Sequence, residues 1–187
     1  MGLRRLLLAL ACAATAASLS GCFLEEEKDE GEPLREGLAV KVDGIEYTVF
    51  ITRELNPSLP DDMGYWQGKE AKPGYALYGV FIEACNRSNE DDDLADDTYE
   101  ATDDFMVKDT QGNEYEPLEI EEENVFQYHP GPLEPGACIP RVGSLAQLGP
   151  TGGAMLPFLF PLEAGENRPL ELEIRAEGQE GLVELDL

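Results

Sequence analysis

The chemistry open to this chain rests on acids, a few aromatics, four cysteines and one histidine. Between Ser88 and Asp104 stand nine acids and no base: Glu90, Asp91, Asp92, Asp93, Asp96, Asp97, Glu100, Asp103 and Asp104. Calcium takes about six to eight oxygen ligands, and a divalent ion would relieve the repulsion among such carboxylates. Asp91, Asp92, Asp93, Asp96 and Asp97 are the candidate ligands for calcium, and no other cofactor is expected. The D-x-D-x-D-G series of an EF-hand is absent, so a solvated acidic loop is the competing expectation. Glu119 to Glu123 repeats the pattern on a smaller scale. Tyr65 and Trp66 sit in Gly64-Tyr-Trp-Gln-Gly68. Aromatics in such a loop stack on sugars or anchor a partner protein; the alternative is that they fold back as a lid on the core. His129 precedes Pro130 and has no G-x-S-x-G or similar nucleophile motif to serve, so no catalytic residue is assigned. Gly149-Pro-Thr-Gly-Gly153 lacks the Gly-Lys-Ser/Thr of a phosphate loop. Asn86-Arg87-Ser88 is formally a glycosylation sequon, and strand-end turn chemistry is its simpler reading.

The first 22 residues read as an address. Arg4 and Arg5 are followed by an apolar stretch from Leu6 to Ala17, then by Leu19-Ser20-Gly21-Cys22. That is the layout of a secretory signal peptide. The apolar run is shorter than the roughly 20 residues that span a bilayer. The last four residues resemble the lipobox of bacterial lipoproteins. The resemblance implies that the Cys22 thiol receives a diacylglycerol and that the chain is cut before it. The new amino group is then acylated. The expected location is a cell membrane or outer membrane, on the extracytoplasmic face, held by the lipid on Cys22. In an envelope with two membranes, Phe23 after the cysteine fits the outer one. Cys12 then leaves with the leader and Cys22 is consumed. Cys85 and Cys138 remain as an even pair in an oxidising compartment. A disulfide between them would close a loop of 53 residues; two buried thiols or half of a metal site are the alternatives.

Charge sets further limits. The chain carries 13 basic and 39 acidic residues, a net charge of −26. Losing Arg4 and Arg5 with the leader leaves 11 basic residues and −28. Phosphate affinity rests on lysine and arginine, so nucleic-acid binding through a basic face is excluded. Electrostatic adhesion to an anionic membrane is excluded likewise. A hydrophobic fraction of 42% excludes a wholly disordered acidic chain.

The elements that must position these residues are short strands. Residues 22–36 carry the lipidated cysteine and an acidic linker; from Phe23 to Glu36 the linker has seven acids in fourteen residues and reads as a stretched tether. Beyond it, residues 37–187 alternate apolar runs with turns. Leu38, Val40 and Val42 alternate with smaller or polar residues. Asp43-Gly44 is a hairpin pair, and Tyr47, Val49 and Ile51 continue on a second strand. Ala76 to Cys85 is apolar on both faces, as a central strand would be. Phe105 and Val107 precede a turn at Thr110 to Asn113. Leu156-Pro-Phe-Leu-Phe160 is another apolar run, whose flanking prolines suggest an edge or strand end. Leu170, Leu172 and Ile174, then Val183, Leu185 and Leu187, alternate with acids. Those acids point outward and discourage edge pairing with other chains. No long segment has a helical period. About seven or eight strands predict an all-β sandwich, with a small barrel as competitor.

Taken together, GLAVKVDGIEYTVFITREL, YALYGVFIEACNRSNE, DDFMVKDTQGNEYEPL, LEPG, PLELEI and VELDL resemble the immunoglobulin-like domain of unknown function of many bacterial lipoproteins. That group is often labelled after a telomeric-repeat-binding factor. The resemblance implies an immunoglobulin-like sandwich over 37–187. The leading expectation for function is a non-enzymatic domain that meets an envelope protein or a small ligand through its loops. A calcium-dependent adhesion or sensing module using residues 90–104 and a carboxylate-based hydrolase are the alternatives. Asn56 to Gly74 and Pro140 to Gly153 are longer than that pattern.

Overall fold

The computed structural model describes residues 31–68, 70–88, 97–119 and 124–187. The chain runs through β1 (Leu34–Arg35), β2 (Ala39–Val42), β3 (Ile45–Glu54), β4 (Tyr75–Asn86), β5 (Tyr99–Ala101) and β6 (Asp104–Lys108). There follow β7 (Glu114–Tyr115), β8 (Gly131–Leu133), β9 (Cys138–Ile139), α1 (Leu145–Leu148) and β10 (Ala154–Pro161). A single 3-10 turn at Leu162–Glu166 leads to β11 (Leu170–Ala176) and β12 (Gln179–Leu185). Two five-element sheets form. One has the order β1-β12-β11-β6-β7; the other has β10-β4-β3-β2, with β9 also on β4. A two-stranded sheet of β5 and β8 stands apart. The protein is a β-sandwich. Among the described residues, seven strands of four residues or more (β2, β3, β4, β6, β10, β11 and β12) make its layers.

The two layers are those of the expected sandwich, and the strand order is particular to this chain. An antibody domain sends its third strand to the opposite sheet. Here β3 returns directly into β4 beside it over nine paired positions, and β6 is the first long strand to cross. At the other end of the chain, β1 pairs parallel with β12 through Leu34–Val183 and Arg35–Glu184.

Local chemistry explains the two tight hairpins. Asp43 and Gly44 have φ of 45° and 80°, which is the type I′ turn that matches strand twist. Glu177 and Gly178 repeat it, with φ of 45° and 79°, between β11 and β12. The prolines of β10 are tolerated because that strand ends its sheet. The N–H and C=O of Met155 face away from β4: they bond Phe126 O at 2.7 Å and Tyr128 N at 2.9 Å. Pro157 shares that orientation. It loses no ladder bond to β4, and its carbonyl accepts from Leu118 N at 2.7 Å.

Burial follows the alternation. Tyr47, Val49, Val80, Ile82, Phe158 and Phe160 meet Phe105, Val107, Leu172, Ile174 and Val183 between the sheets. β4 is covered on both faces, as expected. Its outer side carries Leu77 and Phe81 into a second cluster with Leu55, Tyr65 and Met155. The outer face of the other sheet is charged, yet not all of its acids reach water. Glu173 is buried, with Lys108 Nζ 2.6 Å from one carboxylate oxygen and Arg175 against the other.

The two sheets approach closely where β12 meets β2. A Cβ on Gly181 would lie 2.7 Å from the Cγ2 atoms of both Val40 and Val42. β-Branched side chains cannot turn aside cheaply. We expect Gly181→Ala to destabilise the fold by about 1–3 kcal/mol, read as a lower urea midpoint at unchanged slope.

The folded body begins before the expected boundary at residue 37. Leu34 and Arg35 are in register with β12. Glu36, counted above as a tether acid, accepts from Thr52 N at 3.2 Å and Asp186 N at 3.0 Å. A two-residue strand has no periodicity to read, which is why composition alone placed it in the linker.

Candidate functional site

Cys22 lies outside the described residues, as do Asp91, Asp92, Asp93 and Asp96. Asp97 is exposed, and its backbone carbonyl accepts from Asn86 Nδ2 at 3.0 Å. That asparagine ends β4 and is fully buried. Its amide also donates to Leu133 O at 2.9 Å, and its Oδ1 accepts from Ser88 N and Ser88 Oγ. The sequon nitrogen therefore fastens β4 to β8, with no room for a glycan.

Cys85 and Cys138 form the expected disulfide. They are directly opposed residues of β4 and β9. Glu83 stands beside them, so Glu83, Cys85 and Cys138 are the metal-type grouping found among the described residues. The sulfurs are bonded to each other and offer a metal no thiolate. Glu83 is itself held by Arg87 at 3.0 Å.

Tyr65 is turned inward. It is 4% exposed, edge-on to Phe81 at 5.0 Å and tilted against Phe126 at 4.7 Å. The Arg53 guanidinium lies 5.3 Å from its ring centroid, and its phenol accepts from Thr151 N at 3.3 Å. Trp66 is partly buried against the same cluster and lies over Gly68, where a Cβ would come within 2.5 Å of the indole. The loop is a lid on the outer face of β4. Burial of the tyrosine ring and phenol outweighs any use at the surface. Asp62, also buried, fastens the lid by pairing Arg53 at 2.7 Å and accepting from Asn56 N at 2.8 Å. His129 is exposed.

The sequence reading missed Asp109. This buried carboxylate follows β6 and accepts five hydrogen bonds. Gln111 N and Asn113 N reach one oxygen, both at 2.9 Å. Asn113 Nδ2 at 2.8 Å, Tyr115 Oη at 3.0 Å and Asn167 Nδ2 at 3.0 Å reach the other. Burial alone would raise its pKa. The donors from Asn113, Asn167 and Tyr115 overcome that and hold the carboxyl well below the usual carboxylate range. Tyr115 shifts the other way. Burial, its bond to Asp109 and the nearby negative charge push its phenol up to about 12. Tyr128 is likewise raised, by burial first and then by Tyr47. Its hydroxyl donates to Thr102 O at 3.0 Å, and Tyr47 Oη accepts from Thr102 N at 2.9 Å.

These polar groups position loops. The excursion between β9 and β10 is the loop with the most outward-facing apolar surface among the described residues. It holds Val142, Leu145 and Leu148 at 71%, 66% and 73% exposure. A separate shallow cleft is lined by Asp43, Glu100, Asp103, Asp104, Glu177 and Arg175. No helix among the described residues is long and apolar enough to cross a membrane.

No family model matches the chain, and no curated protein does. Two solved structures are similar in outline. One is the yjhA protein from Bacillus subtilis, 13% identical, with a TM-score of 0.48 over 82% of this chain and 99% of that one. The other is an uncharacterized beta-sandwich protein from Clostridium difficile 630, 14% identical, with a TM-score of 0.44 over 85% and 98%.

Proposed function

We propose that this chain is a lipid-anchored lipoprotein of the cell envelope whose sandwich is a non-enzymatic binding module. One observation carries the reading: Leu19-Ser20-Gly21-Cys22 follows Arg4-Arg5 and an apolar run at the spacing of a lipoprotein leader. The Cys85–Cys138 disulfide supports it, since such bonds persist in oxidising compartments. The use of Asp62, Asn86 and Asp109 to hold loops supports presentation over turnover. Two or more acyl chains give stable anchoring where one gives only marginal binding. The lipid would fix location, the acidic segment would give reach, and the rigid sheets would hold the loops toward an envelope protein or small ligand.

The anchor is tested by growing cells with an alkyne palmitate analogue. Label on the wild-type chain is expected to vanish in Cys22→Ala, and the variant is expected in the soluble extracytoplasmic fraction or with an uncut leader. Label that survives the substitution would sink the lipid assignment.

A further inference from the structure

Val142, Leu145 and Leu148 recur every third residue and are all exposed. The turn that carries them is well held. Ser144 Oγ caps α1 by accepting from Gln147 N at 3.3 Å, and Gln147 Oε1 accepts from Gly143 N at 2.5 Å. Ala146 is buried beneath and anchors the turn. Two more exposed apolar residues, Met63 and Val125, come from segments tied to the same place. Asn124 Nδ2 donates to Tyr65 O at 2.7 Å. A Cβ on Gly149, next to Leu148, would lie 3.4 Å from Tyr65 Oη and 3.5 Å from Phe126 Cε1. Three segments thus converge on buried Tyr65 and partly buried Phe126, and each holds apolar side chains outward. Exposed apolar side chains gathered on segments that share one packed base are what an interaction site presents.

Charge selects the occupant. Across residues 55–68, 124–130 and 140–153 the base is Arg141 and the acids are Asp61 and Asp62. Asp62 is already paired with Arg53. The ridge is flanked in sequence by Arg141, and Glu119, Glu121, Glu122 and Glu123 stand just before Asn124, on a chain of net charge −26. A second copy would bring −26 against −26, and an anionic lipid surface is repelled in the same way. We propose that the Val142–Leu145–Leu148 ridge seats a cationic, amphipathic segment of a partner protein. The partner's apolar face covers the ridge, and its basic side chains answer the surrounding negative field. This deepens the binding-module reading by naming the surface and the partner's chemistry, and it does not depend on the lipid.

The test uses the full chain in zwitterionic lipid nanodiscs, with empty nanodiscs subtracted. The probe is a fluorescein-labelled amphipathic helix built from leucine and lysine alone. Val142→Ser, Leu145→Ser and Leu148→Ser together leave the charge unchanged, and as exposed positions they should leave the melting temperature unchanged. Anisotropy titration is expected to show binding that the triple variant weakens by at least about tenfold, a loss of about 1.4 kcal/mol or more. Added salt is expected to slow association in both proteins. Equal affinity for both proteins would overturn the seat and leave only charge. So would no binding at all, a ridge-dependent dimer in sedimentation, or ridge-dependent binding of the chain to added vesicles. Palmitate labelling is unaffected by any of these outcomes, so failure here is distinct from failure of the anchor.

Discussion

Asp109→Ala is expected to destabilise the sandwich by about 3–4 kcal/mol, near the top of the range for a single substitution. The carboxylate ties three stretches of chain to one point: the Gln111–Asn113 turn, Tyr115 on β7, and Asn167 from the segment before β11. Alanine leaves those donors facing a void. The Asp109→Asn variant keeps the volume but turns an amide toward some of the donors, so a smaller loss is expected. The pH dependence has a definite sign. The folded carboxyl has a pKa below its unfolded value of about 3.9. Its contribution is complete above the unfolded value and is lost as pH falls toward the folded one. The gap in denaturant midpoint between wild type and Asp109→Asn should therefore be constant near neutrality and narrow below about pH 4. A gap that widens in acid would mean that the carboxylate is not the stabilised form.

Removing the disulfide is the second large perturbation. The loop it closes is 53 residues, and the chain-entropy model values such a constraint at about 4 kcal/mol. A Cys85→Ala, Cys138→Ala double variant should melt about 8–16 °C lower than the oxidised protein. The effect acts largely through the unfolded chain. It should appear in the unfolding equilibrium even though Ala84–Ile139 pairing on the same ladder remains. If oxidised protein and double variant share a denaturant midpoint, the bond is structurally idle.

How much of this was readable beforehand depended on the range of the forces involved. Asp43-Gly44 was legible because both turn positions need positive φ, a local requirement met by local residues. β4 was legible because a strand covered on two faces has no polar side to show. The cysteine pair was one expectation drawn from parity and the expected compartment. Tyr65 was read with two outcomes open because nothing near it in sequence reports its cover: Phe126 lies far along the chain, and Phe81 is on a strand. Asp109 looked like an ordinary turn acid. Its role depends on Asn167, 58 residues away. Glu36 looked like one more tether acid until its two backbone donors proved to be Thr52 on β3 and Asp186 just past β12. Short-range pattern thus carried the layers, and the side-chain ties that hold the loops came from contacts that no window of sequence contains.

The excursion between β9 and β10 has a practical consequence for engineering. It leaves and rejoins the same side of β4, with Ile139 opposite Ala84 and Ala154 opposite Ile82. Its two ends are therefore neighbours on one ladder, and the Cys85–Cys138 bond clamps the outgoing end. Lengthening a closed loop costs only about 0.6 kcal/mol per doubling. A foreign peptide spliced between Arg141 and Pro150 would thus be carried on a stapled base with every ladder pair kept, which makes this segment a natural port for peptide insertion.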